Sequence, residues 1–168
     1  MNRSDGDANS VTIRSDLRSG DLGWVTHRHG VLYRQEYGWN VEFEALVAGV
    51  VADFGKQHDP ASERCWFAEI DGQLVGSVFL VKLSDETGQL RLMYVEPAAR
   101  HHGIGSRLIA ECLGFAREAG YRTVKLWTNS VLIDARRLYA KAGFQLVQSD
   151  DYHAFGHDLV SEFWEVEL

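Results

Sequence analysis

A chain of 168 residues, 45% hydrophobic and 24% charged, is long enough to bury one core of its own and fits neither a disordered nor a fibrous composition. Its net charge of −7 argues against a nucleic-acid surface, which needs a clustered basic face; it suits a cationic substrate such as an amine, and equally ordinary solubility. Two cysteines, Cys65 and Cys112, make neither a disulfide framework nor a zinc site and read as buried thiols, and no apolar run is long enough to cross a bilayer, so the expectation is a soluble, cytoplasmic protein.

Residues 1–10 are polar and lack an apolar core, so they read as a flexible tail rather than a signal peptide, which leaves residues 11–168 as the single domain. Val11–Arg14 reads as a short first strand, and residues 16–34 carry apolar positions loosely at helical spacing, interrupted by Gly20, Gly23 and Gly30. Tyr33–Asn40, aromatic and glycine-containing, reads as a loop. Residues 42–56 are a clearer helix, with Phe43, Leu46, Val47, Val50, Val51 and Phe54 at three- and four-residue steps and His58-Asp59-Pro60 as the stop.

Strands over Arg64–Ile70 and Gln73–Lys82 flank Asp71-Gly72, a strong hairpin turn, and a turn at Ser84–Gly88 leads into a third strand, Gln89–Val95. After Glu96-Pro97 the chain enters a helix at Gly103-Ile104-Gly105, which Gly120 closes. Arg122–Thr128 is a β-branched and aromatic strand, expected parallel to Gln89–Val95 because a helix crosses between them. Thr128, Asn129 and Ser130 can cap a helix that runs to Ala142 and stops at Gly143. Phe144–Gln148 reads as a strand, Ser149–Val160 as a long polar loop, and Glu162–Leu168 as a terminal strand.

Two motifs carry chemistry. Arg100-His101-His102-Gly103-Ile104-Gly105 has the form R-x-x-G-x-G at a strand-to-helix turn, where backbone amides and the helix dipole favour an anionic group. Leu108 stands where a dinucleotide fingerprint needs a third small residue, and no phosphate loop ending in Gly-Lys-Ser/Thr exists. One strand later, Ala135 to Phe144 reads A-x-x-L-Y-x-x-x-G-F.

Together these motifs resemble the GNAT superfamily of acetyl-CoA-dependent N-acetyltransferases, most strongly over residues 64–148. The resemblance implies an α/β (α+β) fold: a mixed, mostly antiparallel sheet of about seven strands with about four helices and a splayed central parallel pair. It implies acetyl-CoA as cosubstrate, its pantetheine arm bonded near Met93 and Val95 and its pyrophosphate held by the amides of His101, His102, Gly103, Ile104, Gly105 and Ser106, with Arg100 as a fixed cation. Tyr139 matches the family's proton donor to the departing thiolate. A thiol pKa of about 8.5 and a phenol pKa of about 10 suit that transfer. Many relatives carry an asparagine where this chain has Leu132; Asn129, a further candidate for cofactor contact, or Ser130 takes over the capping.

The implied reaction is transfer of the acetyl group to a primary amine, on a small molecule or a peptide, by direct attack in a ternary complex. A rival is an acyl-CoA-binding sensor that has lost turnover. The general base is not legible: some relatives use a glutamate where this chain has Gln89, and Glu36, Asp85, Glu86 and Glu96 are the alternatives. Acceptor contacts are expected from Glu36, Tyr37, Trp39, Tyr152 and His153. His153 and His157 lack a third ligand, so no metal is expected. Neither nucleic acid nor membrane is an expected partner; dimerisation is common in the family, but no sequence stripe marks an interface. The C-terminal run from Phe155 to Leu168 also resembles the acetyltransferase half of bacterial proteins that carry a MarR-type regulator in front.

Overall fold

The alternating apolar runs of the chain build a seven-stranded sheet in the order β1-β2-β3-β4-β5-β7-β6. In the computed structural model, which describes residues 10–168, its strands are β1 (Val11–Arg14), β2 (Arg64–Ile70), β3 (Gln73–Lys82), β4 (Thr87–Val95), β5 (Thr123–Asn129), β6 (Gln145–Ala154) and β7 (His157–Glu167). Four helices complete it: α1 (Asp21–Tyr37), α2 (Val41–Gln57), α3 (Ile104–Glu118) and α4 (Ile133–Lys141). Apart from Ser10, the expected N-terminal tail lies outside the described residues. Among those residues no helix is long and apolar enough to cross a membrane.

The sheet is a two-sided partition. On one face α3 packs Ile104, Leu108, Ile109 and Cys112 against Val78, Leu80, Leu90, Val124 and Leu126. On the other, α1 and α2 bring Val25, Phe43, Val47, Val51 and Phe54 onto Cys65, Phe67 and Phe79. A fully buried side chain such as Leu108 contributes about 1.5–3 kcal/mol relative to exposure, so each face is anchored by several of them. Both cysteines are buried and free, as expected.

The expected parallel pair forms, and it parts. β4 and β5 are paired from Thr87 with Thr123 to Leu90 with Leu126 and no further. The parting coincides with a bulge in β4. Ser77 faces Tyr94 and Phe79 faces Arg91, so Val78 opposes both Leu92 and Met93. Leu92 has φ 53°, a left-handed conformation uncommon for leucine, and its carbonyl accepts a hydrogen bond from Ser77 Oγ at 2.9 Å.

Two expected loops are regular structure instead. Residues 33–37 continue α1, which ends at Gly38 with φ 71°. One glycine inside α1 fits a close approach: a Cβ on Gly30 would run into the carboxylate end of Glu44 from α2, a flexible tip that would have to move aside. Ser149–Val160 is not a loop but most of the β6–β7 hairpin, turned at Phe155-Gly156 with φ 57° and 83°. Its polar composition misled because β6 is an edge strand, exposed from Gln145 to Asp151, with no second apolar face to keep.

Candidate active site

Where β4 and β5 part, a cleft of about 720 Å³, counting its open mouth, enters between the sheet and the helices. Its walls are His29 and Tyr33 of α1, Trp39, the α2 residues Phe43, Leu46, Val47 and Val50, Gln89–Met93 of β4, Trp127–Asn129 of β5, and Leu132 and Tyr139 from the last helical segment. Residues of α1, α2, β4, β5 and α4 meet at the cleft, where β4 bulges and parts from β5. The strand's backbone is thereby exposed. Glu96 N–H donates to Val75 C=O at 2.8 Å, so Glu96 and Val75 form a hydrogen-bonded pair. By the alternation of an antiparallel ladder, the neighbouring Val95 turns its N–H away from β3, toward the side β5 has left.

α3 begins beside this gap. Gly103 precedes it at φ 76°, and no side chain caps it, so the first-turn amides of Ile104, Gly105 and Ser106 have no intrahelical acceptor. The space over Gly103 is open: a Cβ there would meet nothing within 4 Å. Gly105 is different, since a Cβ would lie 2.6 Å from Leu138 Cδ1 and 3.2 Å from Met93 Cε. That contact brings the glycine turn, the bulged strand and α4 together. His101 and His102 are exposed, and His101 has φ 65°.

Tyr139 lines the cleft from α4 and is buried against Phe144, with ring centroids 5.9 Å apart. Burial, with a smaller contribution from nearby Cys112, pushes its phenol well above the ordinary value and keeps it protonated. Asn129 also lines the cleft, but its Oδ1 accepts from the Tyr152 hydroxyl at 2.6 Å. Neither Asn129 nor Ser130 caps α4 with its side chain; Leu132 occupies the cap position, and its N–H bonds the Asn129 carbonyl at 3.0 Å.

Several expected site residues are committed elsewhere. Arg100 is not a free cation: its Nη1 pairs with Glu36 Oε1 at 2.9 Å, and its Nε donates to Val95 C=O at 3.3 Å. Glu36 and Tyr37 therefore sit on the end of α1 and not in a flanking loop, and neither lines the cleft. Trp39 does line it, and it is a core residue as well, packed on Phe43 and Phe155 at 4.9 Å. Tyr152 stands on β6 behind Asn129. His153 projects outward on the same strand and pairs with Asp158 at 2.8 Å, while His157 Nε2 meets the Gly38 carbonyl at 3.0 Å.

The expected bases fare no better. Glu96 pairs with Arg28, through Nη2 at 2.9 Å. Asp85 and Glu86 are exposed at the β3–β4 turn. Among the described residues no carboxylate lines the cleft. His29, Tyr33, Trp127 and Arg91 were missed. The first two stand one helical turn apart on α1, a spacing hidden by the glycines; Trp127 and Arg91 sit in strands whose faces only the splay and the bulge define. His29 Nδ1–H donates to Val25 C=O at 2.7 Å, and burial pushes the ring down to about 4, so it is neutral at pH 7.

Residues 28–144, which contain both the gap and the glycine turn, match the model of the acetyltransferase (GNAT) family. The chain belongs to that family. Among curated GNAT relatives it is 32% identical over 116 residues to a probable N-acetyltransferase camello of Xenopus tropicalis, covering 65% of this chain and 53% of that protein. It is 29% identical over 113 residues to N-acetyltransferase 8 of Homo sapiens, covering 64% and 50%. The chain thus spans about half the length of these relatives. A Salmonella typhimurium protein solved with acetyl-CoA superposes with a TM-score of 0.75 at 18% identity, over 94% of both chains. A ribosomal-protein-alanine N-acetyltransferase of Brucella melitensis superposes equally, at 0.75 and 20%, over 94% of this chain and 99% of the other. At these identities the superpositions establish the GNAT fold.

Proposed function

We propose that the protein transfers an acetyl group from acetyl-CoA to a primary amine by direct attack within a ternary complex. The observation that carries this reading is the parting of β4 from β5 beside the uncapped N-terminus of α3, with Tyr139 in the same cleft. The residues present fit acetyl-CoA. The first-turn amides of α3, with those of the His101–Gly103 turn, would hold the pyrophosphate under the open space at Gly103. Met93 and Val95 would receive the pantetheine arm along the exposed edge of β4.

In this reading the amine nitrogen forms a bond to the thioester carbonyl carbon, and the C–S bond breaks. The Val95 N–H, turned into the gap, supports the carbonyl oxygen as it gains charge. Tyr139 gives its proton to the departing sulfur, and burial keeps that proton in place at working pH. With no carboxylate in the lining among the described residues, the amine attacks in its neutral form, the proton it sheds as the C–N bond forms passes to water, and water returns a proton to Tyr139. The two buried thiols suit a reducing compartment and support a cytoplasmic setting.

The test is calorimetry with acetyl-CoA followed by acceptor-dependent release of the free thiol across an amine panel. Absence of acetyl-CoA binding overturns the reading. Tight binding with no thiol release for any small amine, amino acid or peptide would make the protein a sensor instead.

A further inference from the structure

The cleft has one charged side chain in its walls among the described residues, and it is positive. Arg91 lines the cleft from β4, half-buried, and joins no ion pair or side-chain hydrogen bond among the described residues. The other arginines near the site are spoken for: Arg28 by Glu96, Arg100 by Glu36, and Arg136 by Glu162 at 2.8 Å. Burial pulls the Arg91 guanidinium below its ordinary value, and the exposed Asp53 of α2, beyond ion-pair distance, only partly offsets this. A partly desolvated guanidinium with no partner among the described residues carries a cost, and it is ready to receive a carboxylate bidentately.

The register says which side it serves. Leu90 packs into the core under α3 and Leu92 into the core under α1 and α2, with Met93 returning to the α3 side. Arg91 follows Leu90 on the alternating strand, so it faces α2, opposite to the face on which α3 begins. The cation therefore lies away from the uncapped amides of the glycine turn. The same cleft offers apolar and aromatic side chains, among them Phe43, Leu46, Val50 and Trp127.

We infer that the acceptor is an amine that also carries a carboxylate on an apolar or aromatic body, with Arg91 holding the carboxylate; an aromatic or branched α-amino acid is the simplest form. This inference rests on the transferase reading above. It reverses the expectation from net charge, since the surface is acidic while the cleft is cationic. The same guanidinium disfavours an ammonium beside it, which helps the amine lose its proton where no carboxylate base stands.

The test compares matched pairs on the intact protein: L-phenylalanine against phenethylamine, and L-leucine against isopentylamine. Binding is read by quenching of Trp39 and Trp127 fluorescence in the presence of coenzyme A, and turnover by thiol release with acetyl-CoA. The carboxylate-bearing member of each pair should be favoured by about tenfold or more. Arg91→Gln and Arg91→Met should bring that ratio close to one while acetyl-CoA affinity stays at the wild-type value, and Arg91→Lys should keep part of it.

Equal or better use of the decarboxylated amines overturns the inference, as does a preference that survives in both neutral variants. So does failure of every member to bind while acetyl-CoA binds. A loss of acetyl-CoA affinity in the Arg91 variants would assign the cation to a cofactor phosphate and overturn it too. Failure of the wild-type protein to bind acetyl-CoA would instead overturn the transferase reading itself.

Discussion

The Tyr152 phenol donates to Asn129 Oδ1 at 2.6 Å, tying the edge strand β6 to the end of β5 where it has left β4. Asn129 is 1% exposed, so its amide oxygen depends on that donor. The bond holds one wall of the cleft in place from behind, across the intervening strand β7. Tyr152→Phe leaves the oxygen buried and unpaired and should cost about 1–3 kcal/mol in urea unfolding. A double-mutant cycle with Asn129→Leu should recover most of that loss; a coupling near zero would show the bond to be idle.

Tyr139→Phe removes the proton donor and little volume. The expected result is a kcat lower by about a hundredfold with acetyl-CoA affinity unchanged. Because burial raises this phenol, activity should not fall through its deprotonation as pH climbs toward the ordinary tyrosine value of about 10. Unchanged turnover in a folded variant, with chemistry limiting, removes Tyr139 from the reaction.

The two glycines of the turn should fail for different reasons. Gly103→Val forces a β-branched residue into φ 76°, at a cost of about 1–2 kcal/mol, and fills space through which the first-turn amides are reached. It should lower acetyl-CoA affinity far more than it lowers Tm. Gly105→Ala puts a methyl 2.6 Å from Leu138 Cδ1, so it should lower Tm, and Leu138→Ala in the same chain should restore it. Wild-type calorimetry for Gly103→Val would mean that the pyrophosphate binds elsewhere.

His29 makes stability depend on pH. Folding pushes its pKa from 6.5 down to about 4, chiefly by burial, with the bond to Val25 opposing. Between these values the unfolded chain binds more protons, so the native state loses stability as pH falls from 6.5 to 4 and keeps it above 6.5. The full effect is roughly 3 kcal/mol. His29→Gln should remove this part of the acid sensitivity; parallel pH curves for the two proteins would contradict it.

The local chemistry of the chain was readable where a residue type has one strong meaning. Asp71-Gly72 turns a hairpin at φ 52° and 76°, with the strands on either side of it as expected. Gly103-Ile104-Gly105 opens α3, and the A-x-x-L-Y run places Tyr139 on the inner face of α4. What failed lay at edges and in contacts. β6 is polar because an edge strand need not keep an apolar face, and Phe155-Gly156 turns it without a turn-forming residue such as asparagine before the glycine. Residues 33–37 form the last turn of α1, which runs on until Gly38 ends it at φ 71°.

The sequence by itself determined the element order, the glycine turn and the catalytic tyrosine candidate, because backbone permissiveness and periodicity are local properties. Only the tertiary structure decided which charges are free. Arg100, Glu36 and Glu96 find charged partners from distant segments, as Asn129 finds the Tyr152 hydroxyl, while Arg91, an unremarkable arginine in a strand, is left without one among the described residues. Pairing depends on which side chains a fold brings within a few ångströms. The bulge at Leu92 and the parting of β4 from β5 set that for this cleft, and neither is written in any single stretch of residues.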